Sequence, residues 1–533
     1  MFEQPLAPLL GSVLASALLA ALPLVVLFVL LGVFRVKAPI AAAVALVLAL
    51  LSAVFVWGMP VIQAGSAAAE GVFYGLFPIL WILVNALWVY RLSAATKWFA
   101  VLGATIRSVS SDLRILAILI AFCFGALLES LAGFGAPVAI SAAMLIAAGL
   151  KPLKAAIASL LANTAPVAFG ALGAPIVALS GVTGLPVHDL SSMVGRQTPF
   201  LAVLVPLVLV FVIDGVRGIR QTWPVAVVAG VVFGVCQFLT SNFFAFELTD
   251  VVAAVVTMVA VLVMLRFWKP AQTIQGEDVD SESHERPPVR DVLMSVAPYL
   301  IIIAVFSIAQ IPAVKAWLTE IGSVTFAWPF LDIVDSTGTP PMAQQFHLDH
   351  LKATGTLLLL SGILTAVVYR VRPRAALREY GATLKQLRWS IVTVTTVLAL
   401  SFVMNLSGQT TSLGYALASA GGFFAVLSPV IGWLGVAITG SDTASNSLFG
   451  QLQVAAAAQT GLPPLVMAAA NTSAGVLGKM LSLQNLAVAS AAVGLEGSEN
   501  ALFRKLIGWS LGLLALITVL IVLQTGPLGW MVP

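Results

Sequence analysis

The sequence predicts an all-α protein that crosses a lipid bilayer many times. Of its 533 residues, 60% are hydrophobic and only 9% are charged. Apolar runs of about 20 residues, the length that spans a bilayer, recur along the whole chain. The net charge of +4 is what the basic cytoplasmic loops of a membrane protein supply. It gives no reason to expect a nucleic-acid partner.

The apolar runs define about 12 full membrane spans. We expect no cleaved signal peptide, because the first run is too long for one and no basic residues precede it. The predicted spans are 9–33, 39–57, 68–90, 155–180, 199–215, 223–242, 249–268, 291–311, 351–369, 388–406, 463–494 and 506–525.

Two longer apolar stretches, 115–149 and 415–459, each contain polar residues and a glycine-rich break. Glu129 precedes the first break, and Asp442 lies at the second. An ionisable group at membrane depth is costly and marks an ion or substrate pathway. A broken helix is tolerated at that depth only beside a protein-lined cavity. We therefore predict two re-entrant hairpins with discontinuous helices. If the arms are complete spans instead, the count rises to about 14.

Clusters of Lys and Arg determine the predicted topology, because such residues collect in cytoplasmic loops. If both stretches are hairpins, both termini face outside and the two hairpins enter the membrane from opposite sides. That is the architecture of an inverted repeat. All but four of the 26 basic residues then fall on the cytoplasmic face, the exceptions being Arg196, Lys315, Lys352 and Lys479.

The chain divides into two predicted transmembrane halves, 1–268 and 291–533. The segment between them, 269–290, is polar and is predicted to be a cytoplasmic linker. Segment 312–350 is moderately polar and contains Trp and several Pro. We interpret it as an external loop at the membrane interface that includes a short amphipathic helix.

An Ala-Asn-Thr tripeptide occurs once in each half and supports the division. Asn163-Thr164 follows Gly133 by about 30 residues, and Asn471-Thr472 follows Gly440 at about the same distance. Each Asn-Thr pair is followed by glycines inside an apolar span. Each pair is therefore predicted to open a break in its helix.

These breaks hold the candidate residues for binding a small carboxylate. The N-terminus of a half-helix offers unpaired N–H groups and the positive end of the helix dipole. Hydroxyl and amide side chains beside it can complete an anion site, although the alternative is that they only cap the broken helices. The candidate binding residues are Gly133, Gly135, Asn163, Thr164, Ser441, Thr443, Asn471, Thr472 and Lys479.

Three charged residues in apolar surroundings are candidates for ion coupling and charge balance. Lys479 can neutralise a substrate carboxylate or pair with Asp442 or Glu129. Glu129 and Asp442 are the candidate proton carriers, because burial disfavours a charged carboxylate. Alternatively, either acid is permanently paired, or Na⁺ is the coupling ion, since Asn, Thr and unwound carbonyls also suit Na⁺. The remaining charged residues of interest are interpreted as interfacial or boundary residues, namely Arg196, Glu70 and Asp250.

The sequence contains no pattern typical of a metal site or an enzyme. Its four His residues form no metal-binding pair, and HExxH and phosphate-loop motifs are absent. A GxSxG match, Gly508-Trp-Ser-Leu-Gly512, lies inside the predicted apolar span 506–525 and not at the strand-to-helix turn that this motif requires in an enzyme. We expect no metal and no cofactor apart from a coupling ion. The residues thus favour a secondary transporter, and a membrane-embedded enzyme is the disfavoured alternative.

Motifs in both halves carry a resemblance to a known family. The sequence resembles the bacterial lactate permease family, which includes the glycolate permeases. The motifs are Glu129-Ser-Leu-Ala-Gly-Phe-Gly-Ala-Pro-Val-Ala-Ile140, Gly195-Arg-Gln197, Ala353-Thr-Gly-Thr356, Gly440-Ser-Asp-Thr443 with Asn446 and Leu448-Phe-Gly450, and Asn471-Thr472 with Gly478-Lys-Met480.

This resemblance implies a substrate class and a coupling ion. It implies proton-coupled uptake of L-lactate, D-lactate or glycolate across the bacterial cytoplasmic (inner) membrane. Two departures from the family pattern bear on substrate preference: Ala136 stands where Thr is expected, and Leu483-Gln484 where Pro-Gln is expected. Lactate and glycolate differ by one methyl group, which apolar contacts discriminate by only about 1–3 kcal/mol.

Overall fold

The computed structural model describes residues 1–133, 135–275, 287–335, 338–341 and 344–533. Residues 276–286 of the predicted linker lie outside the described residues. The chain is predominantly helical, as predicted.

The predicted N-terminal half contains thirteen described α-helices. They are α1 (Val13–Phe28), α2 (Ala38–Phe55), α3 (Val61–Tyr74), α4 (Trp81–Ala94), α5 (Lys97–Arg107), α6 (Leu113–Ala117), α7 (Gly125–Ala132), α8 (Ala136–Ala147), α9 (Pro152–Ala162), α10 (Gly170–Thr183), α11 (Val187–Val194), α12 (Thr198–Phe243) and α13 (Thr249–Phe267). Short π-helical segments extend or join some of them, at Val29–Val33, Gly75–Leu80 and Ile118–Phe124.

Ten described α-helices follow the linker. They are α14 (Val289–Gln310), α15 (Pro312–Gly322), α16 (Thr354–Val368), α17 (Pro373–Ser407), α18 (Gln409–Ala418), α19 (Phe424–Thr439), α20 (Asp442–Thr460), α21 (Pro464–Lys479), α22 (Leu483–Ala492) and α23 (Glu499–Gln524). Single 3-10 turns occur at Val167–Phe169, Phe246–Leu248, Gly421–Phe423 and Gly529–Met531.

Four short strands depart from the predicted all-α class. Strand β1 (Phe2–Glu3) pairs in parallel with β3 (Ile333–Val334), and β2 (Ser323–Ala327) pairs antiparallel with β4 (Gln345–Asp349). Strands β2, β3 and β4 lie in the predicted external loop. They follow α15, which is the short helix expected in that loop. The β2–β4 pair is stabilised by cross-strand aromatic packing, since the Phe326 and Phe346 rings lie 5.7 Å apart.

The described chain has enough long apolar helices for a multi-pass membrane protein. Ten stretches can cross a membrane by length and composition, or eleven if the pair α9–α10, bent by 60°, counts as one span. Helix α12 folds back at Gly215, whose φ is +63°. A Cβ on Gly234 would lie 3.2 Å from the Pro199 carbonyl, so the two arms of α12 run side by side. They correspond to the predicted spans 199–215 and 223–242.

Several connecting segments meet at one end of the molecule, opposite the turn in α12. Arg196 donates hydrogen bonds to Asn242 Oδ1 and to the Met531 carbonyl, both at 2.8 Å. Just beyond α12, Glu247 accepts a hydrogen bond from Thr354, at the start of α16, at 3.5 Å. The C-terminus, the ends of α12 and the segment that follows β4 therefore share this end.

The two halves contain the same order of elements around their polar breaks. Helices α7, α8, α9 and α10 are matched by α19, α20, α21 and α22. In each set the first two helices pack against each other after a short turn. Ser141 Oγ of α8 donates to the Ile120 carbonyl in the π-helical segment before α7, and Ser445 Oγ of α20 donates to the Gly432 carbonyl of α19, both at 3.4 Å. Helix α10 packs on α20, and α22 packs on α8. The last helix of each set thus contacts the hairpin of the other half.

The second Asn-Thr pair does not break its helix, so that prediction is wrong. Helix α21 continues through Asn471 and Thr472 to Lys479, and its break follows at Met480–Ser482. The first pair does mark a break, since Asn163 is the C-cap of α9. The glycines of α21 serve close helix packing instead. A Cβ on Gly478 would overlap the Trp433 carbonyl of α19.

Replacement of Gly478 by Ala is expected to destabilise the protein by at least about 1–3 kcal/mol, because α19 and α21 must separate to admit the methyl group. The control is Gly512→Ala in α23, where an added Cβ meets no atom within 4 Å. Thermal unfolding of the purified variants measures the difference. Equal unfolding temperatures for the two variants would contradict this account of the α19–α21 contact.

Candidate functional site

A cavity of about 260 Å³ lies where the helix breaks of the two halves meet. The turn of the first hairpin contributes Gly133, and the turn of the second contributes Gly440 and Ser441. The wall also includes Glu129 and Lys479. The cavity therefore joins residues that are more than 300 positions apart in the sequence.

An ion pair between Glu129 and Lys479 is the central feature of this cavity. Lys479 Nζ lies 2.6 Å from Glu129 Oε1, and both side chains are more than nine-tenths buried. The other carboxylate oxygen, Oε2, accepts a hydrogen bond from Asn163 Nδ2 at 2.9 Å. Glu129 thus connects the C-terminal ends of α9 and α21, which are equivalent positions in the two halves.

Local sequence explains why these charges can meet. Lys479 is the last residue of α21, where a cation is stabilised by the negative end of the helix dipole. Its carbonyl accepts a hydrogen bond from Asn485 Nδ2 at 3.2 Å, which secures the chain after the break. A Cβ on Gly170 would lie 3.0 Å from Glu129 Oε1. Glycine at position 170 therefore leaves room for the carboxylate.

Asp442 lines the same cavity but has no comparable partner among the described residues. It is 3% exposed, and neither of its carboxylate oxygens has a hydrogen-bond donor in the described structure. It belongs to the first turn of α20, where a negative charge is favoured by the helix dipole. A Cβ on Gly475 would lie 2.7 Å from Asp442 Oδ1, so α21 passes close to this acid.

The N-terminus of α20 supplies a second positively polarised group to the cavity. Ser441 caps this helix, its Oγ accepting a hydrogen bond from the Ala444 N–H at 3.2 Å. The first N–H groups of a helix have no partner within the helix and point towards its N-terminal end. Together with Lys479 they form an arrangement suited to an anion. Ser441 and Thr443, two of the residues predicted to bind the substrate, both line the cavity.

Five of the residues proposed from the sequence do not line the cavity. Asn163 donates a hydrogen bond to Glu129, and Thr164 Oγ1, in the turn after α9, donates to the Leu161 carbonyl in the last turn of that helix. Asn471 contacts Asn446 Oδ1 at 2.8 Å, between α20 and α21. Thr472 is fully buried. Gly135 faces Val488. These residues support the breaks and the packing around them.

Several cavity residues were not identified from the sequence. Helix α17 contributes Trp389, Ser390 and Thr393, and α22 contributes Gln484. Nothing in the local pattern of α17 distinguishes its cavity face from a lipid face. Gln484 follows Leu483, which stands where the family motif has Pro. It carried a usable signal, because it is a polar residue in the first turn of α22, directly after that departure.

Two acids interpreted as boundary residues are buried. Glu70, in the middle of α3, is 1% exposed, and Asp250, in the first turn of α13, is fully buried. The apolar residues after Asp250 indicated that it lies at the start of a span, and this is correct. The sequence did not reveal that α13 packs against α7, which carries Glu129.

A many-span helical protein with a buried ion pair at paired helix breaks has the features of a membrane transporter. The comparisons with known proteins identify the family. The chain belongs to the L-lactate permease family, whose sequence profile matches residues 16–526.

The relatives match over nearly their whole length. The chain is 42% identical to the L-lactate permease of Bacillus subtilis, with 100% of both chains covered. It is 40% identical to the L-lactate permease of Escherichia coli K12, covering 98% of each, and 40% identical to the glycolate permease GlcA of that organism, covering 97% and 96%. The Alcanivorax borkumensis YdaH transporter superposes with a TM-score of 0.46 at 14% identity, covering 87% and 86% of the chains. Its membership of the L-lactate permease family makes the chain a permease and not an enzyme.

The two departures from the family motifs lie at helix starts. Ala136 is the first residue of α8, and Leu483 is the first residue of α22 and 44% exposed. Pro is common at the first position of a helix, but other residues fit there equally well. Neither side chain lines the cavity.

Proposed function

We propose that this protein is a secondary active transporter that carries L-lactate and related 2-hydroxymonocarboxylates, D-lactate and glycolate among them, together with protons. The names of its relatives, L-lactate permease and glycolate permease, support this substrate class. The proposal includes the bacterial inner membrane as its location, both termini outside, and alternating access between two inverted halves. It requires no metal or cofactor.

The Glu129–Lys479 ion pair is the observation that carries the proposal. A substrate carboxylate entering the cavity has the same chemistry as the Glu129 carboxylate, so the two compete for Lys479. The N-terminus of α20, with Ser441 and Thr443, offers the second contact for the substrate carboxylate. Lys479 and this helix end together hold one anion between the two halves.

Proton coupling follows from this competition. An unprotonated Glu129 keeps Lys479 occupied, and a displaced, ionised Glu129 would be an uncompensated buried charge, which is strongly unfavourable. Protonation of Glu129 releases Lys479 and also leaves no uncompensated charge on the displaced side chain. Lys479 then binds the substrate carboxylate, and the loaded site has the same net charge as the empty one. Asp442 remains the alternative proton carrier, since it also lines the cavity.

Uptake by proteoliposomes tests the proposed function. Purified protein in liposomes is expected to accumulate labelled L-lactate when the outside is more acidic, and a protonophore is expected to abolish the accumulation. Unlabelled D-lactate and glycolate should compete, and acetate should compete less. Equal accumulation with the protonophore present would contradict proton coupling. Dependence on a Na⁺ gradient at fixed pH would assign the coupling to Na⁺ instead.

A further inference from the structure

A buried acid outside the cavity, Asp250, has no role in the proposed substrate site. It is fully buried, and neither carboxylate oxygen has a hydrogen-bond donor of normal geometry among the described residues. Unpaired buried polar groups are costly and rarely kept without a function. Within a membrane-spanning helix, an acid of this kind is by default part of an ion or proton pathway.

Asp250 lies on a helix beside the one that carries Glu129. Its helix, α13, packs against α7 and against the π-helical segment that precedes α7. The charges of both Glu129 and Lys479 act on the Asp250 carboxylate, and the side chain of Gln237 lies beside it. Gln237 Nε2 donates to the Ala165 carbonyl at 3.2 Å, inside the break between α9 and α10. Asp250 does not line the cavity, so it lies outside the substrate site although its helix packs against α7.

A second acid, Glu247, lies nearer to the end of the molecule than Asp250. Glu247 precedes Asp250 by one helical turn and contacts Thr354 at the start of α16. Its Oε2 atom is buried without a partner among the described residues, and the charge of Lys315 in α15 acts on it. Glu247 therefore belongs to the end that carries α15 and the strands, whereas Asp250 points inward.

We propose that Asp250 is the proton relay that loads Glu129, with Glu247 as the entry group at the end of the molecule. A proton taken up at Glu247 moves to the Asp250 carboxylate and from there to the Glu129 carboxylate. Each step transfers one proton between two carboxylates and requires no other reactant. The relay rests on the proposed function and adds a proton route separate from the substrate route through the cavity.

The separation of the two routes gives the relay a distinct signature. Exchange of internal for external lactate requires no net movement of protons, whereas accumulation driven by a pH gradient does. A relay variant is therefore expected to retain exchange and lose gradient-driven accumulation. A residue with only a structural role affects both processes to the same extent.

The test compares Asp250→Asn, Asp250→Glu and Thr257→Val in proteoliposomes with labelled L-lactate. Thr257 is the matched control, because it is a fully buried side chain on α13 whose hydroxyl also lacks a partner among the described residues. Asp250→Asn is expected to lower gradient-driven uptake by at least about tenfold, with exchange at equal pH unchanged. Asp250→Glu should restore part of the uptake, and Thr257→Val should match the unchanged protein in both assays.

Wild-type gradient-driven uptake by Asp250→Asn would overturn the relay, and so would a parallel loss of uptake and exchange. If Asp250→Asn cannot be reconstituted, Asp250→Ser is measured in the same two assays with the same expectations. Absence of gradient-driven uptake in the unchanged protein would instead refute proton coupling itself. The relay and the proposed function can thus fail separately.

Discussion

Replacement of Glu129 by Gln is expected to abolish accumulation of lactate under a pH gradient while lactate exchange persists. Gln has the shape of a protonated Glu, so it leaves Lys479 free to bind the substrate at any pH. The hydrogen bond from Asn163 Nδ2 can be kept by the amide oxygen. Lactate binding should therefore become independent of pH, and the measurement is uptake and exchange in proteoliposomes across a pH series.

The matched control for this prediction is Asp442→Asn, which changes the other cavity acid in the same way. If Glu129 carries the proton, Asp442→Asn retains gradient-driven accumulation, although its affinity for lactate can change. The opposite pattern, with accumulation lost only in Asp442→Asn, would assign the proton to Asp442. Accumulation that persists in both variants would show that neither acid couples transport to protons.

Replacement of Lys479 by Met is expected to abolish both exchange and accumulation and to destabilise the protein. Removing one partner of a buried ion pair costs about 3–5 kcal/mol, because the other charge is left uncompensated. The combined variant Glu129→Gln/Lys479→Met has no such charge, so its stability should recover to within about 1 kcal/mol of the unchanged protein. Its transport should remain absent, since the cation that binds the carboxylate is missing.

Thermal unfolding in detergent measures the loss of stability, and lactate exchange in proteoliposomes measures the loss of transport. Arg114→Met is a useful reference, because Arg114 forms a fully buried ion pair with Asp112 at 2.7 Å outside the cavity. Its loss should lower stability by a similar amount without a selective loss of lactate binding. Lactate exchange by the combined cavity variant would contradict the role of Lys479 as the substrate-binding cation.

The ion pair also bears on how the two halves move. Glu129 belongs to α7 and Lys479 to α21, so the pair is one of the contacts that hold the halves together. Asn446 of α20 adds another, donating to the Pro175 carbonyl of α10 at 3.0 Å. In the proposed mechanism, binding of a substrate and a proton replaces the first contact but leaves the second. Loading would then loosen one side of the interface, as alternating access requires.

The positions of the polar breaks could be predicted from the sequence, because they rest on local chemistry. Gly133 and Gly440 interrupt apolar stretches that also hold Glu129 and Asp442. An acid beside glycines in such a stretch has few explanations other than a cavity. The Asn-Thr pair followed by glycines predicted a break at Asn163, and α9 does end there.

The partner of Lys479 and the course of α21 could not be predicted in this way. The sequence left Glu129 and Asp442 as equal partners for Lys479, and only the tertiary packing of α7 with α9 and α21 selects Glu129. The glycines of α21 have the same spacing whether they break a helix or admit a neighbouring backbone. That choice depends on α19, whose Trp433 carbonyl occupies the space beside Gly478.

The most direct test of the account is the proton balance of lactate binding. Purified protein in weakly buffered detergent solution is expected to take up about one proton for each lactate bound, as Glu129 leaves Lys479 and becomes protonated. A pH-indicator dye measures this uptake, and Glu129→Gln should bind lactate without it. Lactate binding with no proton uptake by the unchanged protein, or with equal uptake by Glu129→Gln, would contradict the account.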